Sequence, residues 1–137
     1  FVETHVPSVP GFGPVARAGA GLMRACVEGP PRVRFVWGLE EDDRLDRHPE
    51  PAEGWDREEW DGRRFAADRP LVVRTERQTV VGLPEVGAFL FLIRVGHVRE
   101  GDLRREWIPP LISAVEGMTP EELAYKGLTG DRRAGAL

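Results

Sequence analysis

Residues 71–94, LVVRTERQTVVGLPEVGAFLFLIR, read as two strands joined by a turn at Gly82-Leu83-Pro84. In the first arm Leu71, Val73 and Thr75 alternate with Val72, Arg74 and Glu76, the period-two pattern of a half-buried strand. The second arm, residues 88–93, is apolar throughout and ends at Arg94. Such a run suits a strand covered on both faces, or on one face by a large apolar ligand. The anomaly is Arg74-Thr75-Glu76-Arg77-Gln78, three charges and an amide on a buried-looking strand. Buried charge is costly unless paired, so the cluster either satisfies itself as an Arg/Glu lattice or holds a ligand. Strand parity points Arg74 and Arg77 to opposite faces, so at most one of them contacts a given ligand directly. Arg77 shares its face with Val73 and Thr75.

Outward from this hairpin the chain reads as short elements. Residues 14–27 predict a helix that Pro14 opens and Gly29-Pro30-Pro31 stops, with Val15, Ala18, Leu22 and Cys26 on one stripe; Gly19 and Gly21 weaken it. Cys26 is most simply a small core residue there. Residues 32–39 alternate as a strand with one face on a core, Val33, Phe35 and Trp37 facing one way and Arg32, Arg34 and Val36 the other. Residues 40–61 hold 11 of the 23 acidic residues together with Trp55 and Trp60. No helical or strand period survives, so they read as a long loop or mobile segment, with the tryptophans favouring a lid or partner surface. His97 follows the second arm, in parity with Phe91 and Ile93. Residues 107–116 predict a short helix, and Thr119-Pro120-Glu121-Glu122 is a capping-box start for another that runs to Tyr125-Lys126-Gly127. Residues 129–137 read as a frayed tail.

Composition bounds the class. The chain has 137 residues, enough for one domain with a single core. No apolar run approaches the roughly 20 residues that span a bilayer, and no signal-peptide pattern is visible. A single cysteine fits a reducing cytoplasm. The net charge of −4 argues against nucleic acid as a partner.

Four ordered elements carry a resemblance. They are His5-Val6-Pro7-Ser8-Val9-Pro10-Gly11, Arg34-Phe35-Val36-Trp37, the Arg74–Thr79 run with Leu83-Pro84 and Leu90-Phe91-Leu92-Ile93-Arg94, and Met118 to Leu128 with its Tyr125-Lys126-Gly127-Leu128. Together they resemble the alpha subunit of the haem-dependent oxidative N-demethylases. This chain departs from the family pattern by one extra residue after His5, by Val36 where relatives have Asn, and by Val95-Gly96 where they have Thr-Tyr. The resemblance implies an α+β, PAS-like curved antiparallel sheet flanked by short helices, forming a single haem-binding domain over residues 1–137. It implies a haem-dependent oxidase or monooxygenase that uses haem b and its iron to activate O2 and oxidise a small amine. The alternative is a non-catalytic haem- or ligand-binding sensor of the same fold. No nicotinamide, flavin or iron–sulfur motif is present, so a separate electron-donor protein is expected, and a homodimer is a further expectation. His5 is the expected metal ligand, because Pro7 and Pro10 stiffen the chain beside it and a ligating imidazole needs a rigid backbone, with His97 as the runner-up ligand. Arg74, Arg77, Gln78, Arg94 and Lys126 are the expected cofactor-binding residues, pairing with propionates where geometry permits. Glu76, His97 and Tyr125 are the expected catalytic residues: Glu76 for a cationic amine, His97 on the distal side, and Tyr125 closing the pocket.

Overall fold

The computed structural model describes residues 9–48, 50–66 and 68–129. His5 and all but Thr129 of the predicted tail lie outside the described residues. The elements run α1 (Gly13–Arg17), α2 (Gly19–Glu28), β1 (Arg32–Glu40), α3 (Arg57–Trp60), β2 (Val72–Leu83), β3 (Ala88–Arg99), α4 (Ile108–Glu116) and α5 (Pro120–Tyr125). The strands form one curved antiparallel sheet in the order β1-β2-β3, so the architecture is α+β as expected. Among the described residues no helix is long and apolar enough to cross a membrane.

Three local expectations are corrected. The single helix over 14–27 is two, broken at Ala18, which has left helical geometry (φ −87°, ψ 4°) just before Gly19. Two glycines in one turn make continuation costly. The hairpin turn lies at Pro84–Val86, closed by Gly87 in the left-handed region at φ 62°, and not at Gly82. Gly82 stays in β2 because a backbone passes against it. The second arm continues to Arg99, which places His97 inside β3.

The molecule divides into two compact units. The first comprises residues up to Val36 together with Glu76–Val95; the second comprises Trp37–Thr75 and the residues from Gly96 onward. Each strand contributes to both. The buried hydrophobic side chains, Leu39, Trp60, Phe65, Val72, Val73, Val115 and Leu128, all belong to the second unit. Five of them form one cluster, with Trp37, Val98, Leu103, Leu111 and Met118 packed against it. Each fully buried aliphatic contributes about 1.5–3 kcal/mol. Gly127, at φ 73°, turns the chain after α5 so that Leu128 reaches this core. Thr119 and Glu122 form the predicted capping box at the start of α5. Thr119→Ala is expected to lower unfolding free energy by about 1 kcal/mol, read as a shift of the urea midpoint at constant slope.

Burial and ion pairs tie the acidic segment into the second unit. Trp60 is buried, and its Nε1 donates to the His48 carbonyl at 2.7 Å. The Arg44 guanidinium lies over both indoles, 4.3 Å from Trp55 and 4.7 Å from Trp60, and donates to the Trp60 carbonyl at 2.7 Å. Arg47 bridges Glu40 and Asp42 at 2.6 Å each. A lattice of arginines therefore holds the carboxylates that in the sequence look like a solvated run. Burial acts to raise the pKa of Asp42, but hydrogen bonds from Arg47 and the Arg44 backbone, with both positive charges, outweigh it and hold the carboxyl below its usual value. A depressed carboxylate stabilises the fold fully above its unfolded value of about 3.9, and that contribution is lost as pH falls through the lower folded value. Urea stability is thus expected to fall below about pH 4, and less steeply in Asp42→Asn. Equal acid sensitivity in the two proteins would remove Asp42 from this account.

Candidate functional site

In the first unit the chain builds walls without filling them. Leu22, Met23 and Cys26 fall on one stripe of α2, at helical spacing. Arg32 and Arg34 of β1, Gln78 and Val80 of β2, and Phe89 and Phe91 of β3 share the sheet face beneath that stripe, by strand parity. Together they line a cavity of about 520 Å³, within the roughly 300–1,000 Å³ of small-molecule and cofactor sites. Helix α2 contains no buried residue. Among the described residues of this unit the one buried residue is an amide, Gln78, 8% exposed.

Gln78 organises the polar floor. Its Oε1 accepts from Arg34 Nε at 2.6 Å, and its Nε2 donates to Glu76 Oε2 at 2.8 Å. Both ends of the amide are therefore satisfied, as a buried amide requires, and its flip state is fixed. The approach of α2 to the sheet depends on Gly82, where a side chain would meet the carbonyls of Val27 and Cys26.

The remaining expected site residues separate. Arg77 and Arg94 lie on the opposite sheet face of the first unit and are exposed. Arg74, His97, Tyr125 and Lys126 belong to the second unit. There Arg74 Nε is 3.8 Å from Glu40 Oε1, in the lattice that the sequence allowed as its plain reading. His97 is half-buried, with its Nε2 enclosed and unpartnered. The Tyr125 ring lies 5.3 Å from the Arg63 guanidinium, which donates to the Tyr125 carbonyl at 2.7 Å. Lys126 donates to the Trp37 carbonyl at 3.1 Å, and its amine is held below the usual lysine range by burial and then by the Arg63 charge, which Glu122 partly offsets. Of the residues named in advance for cofactor or catalysis, Gln78 lines the cavity and Glu76 is tied to it. Arg32 and Arg34 also line the cavity, and nothing in a two-residue period says which face of β1 a helix covers.

Haem needs apolar walls, cationic partners for its propionates and an axial ligand. The cavity supplies the first from Leu22, Val80, Phe89 and Phe91, and the second from Arg32 and Arg34. Cys26 and Met23 line it with sulfur atoms. The walls and the arginines suit such a group, and among the described residues that line the cavity there is no histidine, tyrosine or carboxylate.

The family model for haem-dependent oxidative N-demethylase, alpha subunit-like proteins matches residues 1–134. No curated protein matches the chain.

Proposed function

From the premise that this chain belongs to the haem-dependent oxidative N-demethylase, alpha subunit-like family, we propose that it is a haem-dependent oxidoreductase acting on a small amine, with the cofactor held in the first-unit cavity. The observation that carries this reading is a unit with apolar walls around about 520 Å³ and, among its described residues, no buried large hydrophobic side chain. A sheet and helix of this kind normally bury apolar side chains against each other; here a planar apolar group takes that place.

Bound haem supplies iron for O2 chemistry that the protein's own side chains lack. The chain's residues do the rest. Arg32 and Arg34 hold the propionates, bidentately where the guanidinium plane allows. Gln78 fixes Arg34 from below and orients the Glu76 carboxylate. Glu76 attracts the cationic form of an amine, and the aromatic pair Phe89 and Phe91 excludes water. His5 is the axial ligand, and the chain forms a single PAS-like haem domain in the cytoplasm. The alpha-subunit designation of the family supports a separate chain as electron donor.

Titrating the purified protein with hemin tests the reading. A saturable Soret band at one haem per chain is expected. Cys26→Trp, which fills the cavity, should abolish it with the circular dichroism preserved. Arg34→Leu should weaken haem retention by about tenfold, the loss of one charge-assisted contact. His5→Ala should change the ferric spectrum to a water-ligated form; unaltered ferric and ferrous spectra would move the ligand to another residue. Haem uptake without amine turnover, given reductant and O2, would favour the sensor reading.

A further inference from the structure

The face of the first unit's strands that points away from the cavity is apolar and open. Phe35 is 73% exposed, Leu92 53% and Leu90 49%. Apolar side chains of the outer strands β1 and β3 thus flank Arg77 and Thr79 of the central β2, and exposed apolar side chains grouped on a sheet face are normally buried against another element. In the second unit the same parity of β2 and β3, Val73, Thr75 and Val98, is met by Leu111 and Ala114 of a helix, α4.

Two arginines give the missing cover a charge. β2 and β3 are both 12 residues long and joined by four, so Leu83 stands opposite Ala88 and, six residues back along each strand, Arg77 stands opposite Arg94. The bond from the Thr75 hydroxyl to the Gly96 carbonyl agrees with this register. Like charges directly opposite each other destabilise a sheet. Both arginines are exposed, and neither has a side-chain hydrogen bond or ion pair among the described residues. A second copy of the chain laid face to face would bring four guanidinium groups together, which disfavours a symmetric dimer here.

We infer that this face docks an acidic amphipathic helix of a partner protein, with apolar side chains on Phe35, Leu90 and Leu92 and carboxylates on Arg77 and Arg94. A helix of about 10 Å diameter matches three strands at about 4.8 Å spacing. The inference is independent of what fills the cavity.

The test uses the full chain and a fluorescent synthetic helical peptide of about 16 residues, about four turns long, carrying a leucine stripe flanked by glutamates. A control peptide has every glutamate replaced by lysine. Anisotropy should show binding of the acidic peptide alone, weakening with added salt. Arg77→Ser combined with Arg94→Ser should weaken it at least tenfold, and Phe35→Ser likewise. Salt dependence needs no variant, so it stands even if a variant misfolds. Equal binding of both peptides, no binding of either, or indifference to the arginine pair overturns the inference. Hemin that competes off the peptide, with haem uptake lost in the arginine double variant, would give this face to the porphyrin. A dimer by sedimentation that Phe35→Ser dissolves would give it to a second copy.

Discussion

Trp60→Ala is expected to unfold the second unit's edge and to cost about 3–5 kcal/mol, the range for deleting a buried aromatic. Trp60 is 7% exposed, packs edge-on to Trp55 with ring centres 5.8 Å apart, and donates to the His48 carbonyl. Its loss removes apolar burial, one wall of the Arg44 stack and the donor for a backbone carbonyl at the same time. Whole domains have only about 5–15 kcal/mol to lose, so the variant should lose near-ultraviolet dichroism and melt well below the parent. Trp55 is 43% exposed, and Trp55→Ala should cost less than about 1 kcal/mol. Deleting residues 46–61 removes Trp60 and Arg47 together and should prevent folding. A deletion protein that folds and takes up haem normally would restore the lid reading of this segment.

Gly82→Ala should produce the second large effect. A Cβ at Gly82 would collide with the Val27 carbonyl oxygen and lie 2.9 Å from that of Cys26. Both are backbone atoms at the end of α2, so relief requires the helix to move off the sheet. Overpacking of this kind costs about 1–3 kcal/mol. Because Cys26 lines the cavity, the shift should also weaken haem binding more than the stability loss alone explains. Gly101→Ala is the control, since a Cβ there meets nothing within 4 Å. Two variants with the same melting temperature would show that α2 tolerates displacement and that Gly82 is there for another reason.

The sequence by itself determined the local elements and the family. Alternation made β1 and β2 legible, the Thr119 capping box located α5, and four ordered motifs identified the haem-dependent relatives, because each depends on neighbours in the chain. It also set the parity of Arg74 against Arg77. Which face each strand buries was decided only by tertiary structure. Arg74 pairs with Glu40 while Arg77 stands exposed, although the two are three residues apart and chemically identical. The apolar run of β3 is not covered on both faces: Leu90 and Leu92 are exposed, and Phe89 and Phe91 face the cavity. Of β1, Trp37 and Leu39 reach the second unit's core, while Val33 lines the cavity and Phe35 is exposed. The acidic segment has no period, so nothing local foretells that Arg44 and Arg47 fold it around Trp60. Gly82 reads as a turn residue in sequence and serves instead as a point of close backbone approach, a role set by Val27, far from it along the chain. Period and capping are written in consecutive residues; burial is a property of what arrives from elsewhere.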